Sequence, residues 1–102
     1  AHAPDAIFCS GDINTMGALD AARKLGRDIG ETLSIAGFDA PCGMELPPYG
    51  ITALRQDTGQ LARDAVQILK RMIDTDDRSP VVVTRPMELV VRTSTRPHPT
   101  EK

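Results

Sequence analysis

Two short apolar runs, Ala6-Ile7-Phe8-Cys9 and Leu33-Ser34-Ile35-Ala36-Gly37, flank a stretch with helical periodicity. This spacing constrains the fold more than any other feature of the chain. Strands buried on both faces read as continuous apolar runs, not alternating ones. Two such strands joined by a helix make a βαβ unit, in which the strands pair in parallel through a right-handed crossover. The helix is predicted over Ile13 to Leu25, with Ile13, Met16, Leu19 and Ala22 at helical spacing. Asp12 stands where an N-cap carboxylate accepts from the free amides of the first turn, and Gly26 stands where a helix stops. The small residues Gly17, Ala18 and Ala21 leave a face that can approach either the sheet or another subunit. The second run ends abruptly at Gly37-Phe38-Asp39. Asp39 therefore falls at the carboxyl end of a parallel strand, the rim where open α/β sheets bind ligands. An Asp ahead of Pro41 and Gly43 also caps turns, and position alone leaves both roles open.

Ala40 to Gly50 holds three prolines and two glycines, which excludes a long helix or a central strand there. Ile51 to Arg55 is a third strand. Asp57 or Thr58 caps a second helix, on which Leu61, Ala65, Ile68, Leu69, Met72 and Ile73 form one apolar stripe. Arg63, Asp64, Gln67, Lys70 and Arg71 fill the solvated face. Asp74 to Pro80 is a polar loop. Pro80 to Arg85 is rich in β-branched residues and is interrupted by Pro86; Met87 to Thr93 continues as a further strand. The predicted order is β-α-β-β-α-β-β. It forms one α/β domain over residues 1–93, a parallel sheet flanked by helices, followed by a flexible tail over residues 94–102.

Composition matters chiefly for what it excludes. At 102 residues the chain is one domain at most. Aromatics make up 3% of it, too few for a stacking platform that binds single-stranded nucleic acid. A net charge of −2, with Arg and Lys scattered, gives no electrostatic footprint for DNA or RNA. No apolar run reaches the length of a membrane span. Ala1-His2-Ala3-Pro4-Asp5 lacks the basic start and apolar segment of a secretory signal. Cys9 and Cys42 show no metal-ligand spacing and are too few for a disulfide framework, as expected of free thiols in a reducing cytoplasm.

Catalytic patterns are mostly missing. There is no glycine-rich phosphate loop and no G-x-S-x-G elbow. The histidines, His2 and His98, both lie in the termini. Ser10-Gly11-Asp12 opens a helix whose first amides can face a ligand. Asp12, Asp39 and Asp57 each follow a strand, a pattern shared with Mg²⁺ and phosphoacceptor sites, which need convergent oxygens. Against this, no Lys follows a strand nearby, and capping alone explains Asp12 and Asp57. A binding site fits better. The carboxylate of Asp39 and the amide of Gln56, both at strand ends, can orient the hydroxyls of a sugar or the polar edge of a base. No cofactor is expected.

Five stretches occur in order: Asp5-Ala6-Ile7-Phe8-Cys9-Ser10-Gly11-Asp12, Met16-Gly17-Ala18-Leu19, Leu33-Ser34-Ile35-Ala36-Gly37-Phe38-Asp39, Thr52-Ala53-Leu54-Arg55-Gln56 and Glu88-Leu89-Val90-Val91-Arg92-Thr93-Ser94-Thr95. Any one of them is a weak signal. Together, in this order and spacing, they resemble the C-terminal part of the LacI/GalR (lactose/galactose repressor) family of bacterial transcription regulators, over nearly the whole chain. The resemblance implies a periplasmic-binding-protein-like, Rossmann-like fold of two α/β subdomains with a small-molecule effector in the cleft between them. It implies that this chain supplies the later part of the C-terminal subdomain and the closing crossover segment. Operator DNA would be bound only by an N-terminal domain outside the chain.

Residue by residue, Asp39 matches an acid that bonds effector in many members, and Gln56 matches a cleft position that can touch it. Gly11, beside Asp12, stands where many members have an effector-binding Asn, and Ala40 stands where a second acid is common. The ligand class, sugar-like or purine-like, is therefore left open. Met16, Gly17, Leu19, Met44 and Tyr49 match surfaces of the family's homodimer interface. The implied protein is a cytoplasmic repressor, neither an enzyme nor membrane-bound. A periplasmic sugar-binding protein of a transporter, which shares the fold, is the alternative; a receiver-like Mg²⁺ domain is a more distant one.

Overall fold

The apolar runs and their helix do form the βαβ unit. In the computed structural model, which describes residues 3–39, 43 and 49–96, strand β1 spans Ala6–Cys9, helix α1 Asp12–Lys24 and strand β2 Ser34–Phe38. Strand β3 spans Thr52–Arg55, helix α2 Thr58–Thr75 and strand β4 Glu88–Val90. The strands form one four-stranded sheet in the order β1-β2-β3-β4. β1 and β3 each pair with β2 in parallel, whereas β4 pairs with β3 antiparallel. The expected parallel sheet is thus corrected at its last strand, where the chain returns against β3. The chain divides into two units, Ala1–Arg55 with Glu88–Lys102, and Gln56–Met87.

In the first unit, α1 covers one face of the sheet. Cys9, Leu19, Ala22, Leu33, Ile35, Ile51 and Ala53 form the buried core, with Ile7, Ala18, Ile29 and Tyr49 packed at its edge. The residues of α1 that turn inward are Thr15, Leu19 and Ala22. Ile13 and Met16, expected on the same stripe, are exposed. Thr15 replaces them because its hydroxyl is satisfied locally, donating to the Gly11 carbonyl oxygen at 2.7 Å; a buried hydroxyl is tolerated when it has a partner. It also explains Gly37. A Cβ at that position would lie 2.6 Å from Thr15 Oγ1, so only a glycine lets the helix approach β2 this closely.

The end of α1 follows the expected chemistry. Gly26 adopts φ +69, its amide donates to the Arg23 carbonyl, and the Arg27 amide donates to Ala22. This pairing is the Schellman arrangement that closes helices with a glycine. The start differs. Gly11 is the N-cap, and Asp12 is the first helical residue, its carboxylate accepting from the Ile13 amide at 2.8 Å. Asp12 therefore supports the helix from inside the first turn, where a negative charge is favoured.

The segment after β4 is stitched into the sheet. Ser94 is 1% exposed. Its hydroxyl donates to the Ile35 carbonyl and accepts from the Thr52 amide, and its amide donates to the Gly50 carbonyl. The Ile35 amide in turn donates to the Ser94 carbonyl. Thr52 Oγ1 accepts from the Arg92 amide at 2.8 Å and shares a 2.6 Å bond with Thr95 Oγ1. The tail assigned to residues 94–102 thus begins too early, because Ser94 and Thr95 complete the hydrogen bonding of β2 and β3. Residues 97–102 lie outside the described residues.

The second unit is α2 with the segment that follows it. Asp57 caps α2 as expected, its side chain accepting from the Gln60 amide at 3.0 Å. The predicted apolar stripe is not a buried face. Leu69 and Ile73 are exposed, Ile68 and Met72 are half-buried, and the buried residue of the helix is Asp64. Asp64 accepts two bonds from Arg85, at 2.6 and 2.7 Å, and one from Gln60 at 2.9 Å. The Arg85 guanidinium, more than any other group, holds its carboxyl down to about 2, with Gln60 helping and burial opposing. No strand forms over residues 80–85, contrary to expectation. Pro80 and Pro86 bound that stretch and cannot donate to a ladder, and Val81, Val82 and Val83 are exposed.

Candidate functional site

The carboxyl ends of the parallel strands gather the polar groups singled out above. β1 ends at Cys9 and leads through Ser10 and Gly11 into α1, and β2 ends at Phe38 and leads into Asp39. Cys9 pairs with Gly37 across these strands, so the two exits are neighbours on one rim. Asp39 is half-buried and adopts φ +63, a left-handed conformation. Asp and Asn enter that region more readily than other side-chain-bearing residues. Its amide donates to the Leu54 carbonyl at 2.8 Å, continuing the β2–β3 ladder one residue past the strand. The backbone is therefore held in an unusual conformation at the sheet edge, and such strain collects at functional positions.

Gly11 has an extended backbone, φ −157 and ψ 168, and no atom lies within 4 Å of where a Cβ would stand. Nothing in the fold requires glycine there. Gly11→Asn is expected to change stability by no more than about 0.5 kcal/mol, since Asn and Gly differ little at an N-cap. Urea unfolding measures this, and a loss above about 1 kcal/mol would show that the apparent room is not usable. Asp12, on the same turn, is exposed. Asn14 and Ser10, bonded to each other at 3.4 Å, add two polar groups to the rim. They were legible only as part of the Ser10-Gly11-Asp12 helix start.

Gln56 is half-buried and opens the second unit. Asp57 is committed to capping α2. Among the described residues, no three His, Cys, Asp or Glu side chains gather as metal ligands would. Of the residues assigned to a subunit interface, Met16 and Gly17 lie on the exposed face of α1, with Ile13. Leu19 is 0% exposed and belongs to the core, so its side chain does not reach the surface. Tyr49 is half-buried, with the Arg23 guanidinium 4.8 Å from its ring centroid. Met44 and Cys42 lie outside the described residues; Cys9 is a buried free thiol.

A βαβ core with its polar groups at the carboxyl rim defines a lobe of an α/β ligand-binding fold. The chain belongs to the periplasmic binding protein-like domain family, whose profile matches residues 1–95. It is 33% identical over 94 residues to the HTH-type transcriptional repressor PurR of Serratia proteamaculans, covering 91% of this chain and 27% of that protein. Two of the similar solved structures are transcription regulators. One is a LacI-family transcriptional regulatory protein from Corynebacterium glutamicum, with 32% identity and a TM-score of 0.76 over 91% of this chain and 36% of that one. The other is the complex of the transcriptional regulator CelR with cellobiose, with 28% identity and a TM-score of 0.80 over 88% of this chain and 28% of that one. These findings bear out the likeness to LacI/GalR regulators read from the motifs. The chain spans about a quarter of the length of PurR. Among the described residues, no helix is long and apolar enough to cross a membrane.

Proposed function

We propose that the chain is part of the effector-binding domain of a cytoplasmic transcriptional repressor that senses a small hydroxylated or heterocyclic molecule and performs no catalysis. The observation that carries this reading is Asp39. It stands at the strand end where the motif match sets an effector-binding acid, and its backbone is fixed there in a left-handed conformation. The first unit would form the C-terminal lobe around the rim of Gly11, Asp12 and Asp39. Gln56, which opens the second unit, is the other position that the motif match assigns to effector contact. The exposed apolar residues of α2 and of Val81 to Val83 are what a segment handed over to a second lobe would carry. Operator DNA would be bound by a domain encoded upstream, in keeping with the net charge of −2. A homodimer would form on the exposed face of α1 around Ile13, Met16 and Gly17, without Leu19, and Tyr49 and Met44 are the further positions that the motif match assigns to it.

The effector class follows from the same groups. A carboxylate with neighbouring hydroxyl and amide donors suits vicinal hydroxyls, and the similar regulator solved with cellobiose supports a sugar first. The test uses the full-length protein and a panel of mono- and disaccharides and nucleobases scored by thermal shift. Asp39→Asn keeps the left-handed backbone and removes the charge. It is expected to weaken the response to the active compound by roughly 10- to 100-fold, the loss of one hydrogen bond to a charged group, while operator binding is retained. An unchanged response removes Asp39 from the site. An upstream reading frame with a secretory signal and no helix-turn-helix would favour the transporter protein instead.

A further inference from the structure

We propose that residues 80–85 form a strap that runs back along α2 and is fastened there by one ion pair, Arg85 on Asp64. The pair then decides whether strap and helix behave as one body. All the groups involved lie in the second unit, Gln56–Met87, and the proposal does not depend on the effector reading.

The sequence prepares the strap. α2 stops at Asp76, whose φ of +56 is left-handed and turns the chain out of the helix. Asp77 closes the next turn, its carboxylate accepting from the Ser79 amide at 3.0 Å and the Ser79 hydroxyl at 2.7 Å. Pro80 fixes its own φ, and Pro86 keeps Arg85, just before it, out of the helical region. Three valines and a threonine between them favour an extended chain. Six extended residues reach about 20 Å. The helical rise from Asp64 to Thr75 is about 17 Å. The strap is therefore just long enough to bring Arg85 back to Asp64. Alternate side chains of an extended chain share a side. Val82 is 90% exposed, whereas Val81 and Val83, on the side of Arg85, are 36% and 43% exposed.

The ion pair fastens the far end. Arg85 donates from Nε and Nη2 to both carboxylate oxygens of Asp64, at 2.6 and 2.7 Å, the two-bond fork that guanidinium and carboxylate form best. Among the described residues, these are the hydrogen bonds that join residues 80–85 to α2, and no apolar side chain of the unit is buried to support them. Without the guanidinium, the buried Asp64 carboxylate keeps Gln60 as its donor. A buried charge stripped of its partner is better served by water, so the strap should lift and hydrate it.

The test is ¹⁵N relaxation on the 102-residue chain. In the parent chain the amides of Val81 to Thr84 should show order parameters like those of α2, about 0.85. Arg85→Gln is expected to drop them below about 0.6 while α2 keeps its own. Asp64→Asn should give the same drop, and the double variant should fall no further than either single one, because all three lose the same pair. Should a variant fail to fold, the parent chain gives a second reading: nuclear Overhauser contacts to α2 side chains from the methyls of Val81 and Val83 but not of Val82. Order retained in Arg85→Gln, a double variant looser than both single ones, or the absence of those contacts would overturn the proposal.

Discussion

Leu19→Ala is expected to lower the stability of the chain by about 2–5 kcal/mol, the usual result of emptying a fully buried leucine site. Urea unfolding reads this as a lower midpoint with an unchanged slope. Leu19 is 0% exposed and sits in the cluster with Cys9, Leu33, Ile35, Ile51 and Ala53. No polar group needs rearranging there, so the loss is one of packing and apolar burial. The same substitution separates the two roles the residue has been given. A position in a subunit interface would weaken association and spare the fold, whereas a core position weakens the fold at every protein concentration. A loss below about 1 kcal/mol would take Leu19 out of the core.

Gly30→Ala is expected to be comparably damaging, by a different route. Gly30 adopts φ +89, and a Cβ there would run into the backbone carbonyl oxygen of Thr93. Left-handed strain in a residue with a side chain costs about 1–2 kcal/mol. Overpacking against an atom that cannot rotate away adds about 1–3 kcal/mol. The pressure falls on the segment that carries Ser94. Hydrogen exchange should therefore quicken first at the Ser94 and Ile35 amides, which bond the Gly50 and Ser94 carbonyls. Ordinary protection at both amides, with stability within about 0.5 kcal/mol of the parent chain, would show that the turn relaxes around the extra methyl group.

The parallel part of the sheet was legible because its signals are local. Ala6 to Cys9, Leu33 to Gly37 and Ile51 to Arg55 are short apolar runs, and Gly26 closes α1 by a glycine-dependent turn. What escaped depends on partners distant in sequence. Ser94 reads as a polar residue ahead of Pro97, and only its bonds to Ile35, Thr52 and Gly50 reveal a buried staple. Helical spacing could not choose between the two sides of α1, since Ile13 and Met16 are as apolar as Leu19, and the choice fell to the satisfied hydroxyl of Thr15. On α2 the apolar stripe was real as a pattern, yet its burial cannot be deduced from periodicity when the surface it covers is not in view. The rim was legible at Asp39 and Gly11, whereas Asp12 was assigned the cap that Gly11 provides.

Arg55 and Glu88 are register partners across β3 and β4, joined by an ion pair between exposed side chains. Everything from Gln56 to Met87 is consequently an excursion that leaves the sheet and re-enters it beside its own point of departure. In topological terms the stretch is a long connection between the two arms of a hairpin. The register of β3 on β4 is set by their own ladder, with Ala53 opposite Val90, Leu54 opposite Leu89 and Arg55 opposite Glu88.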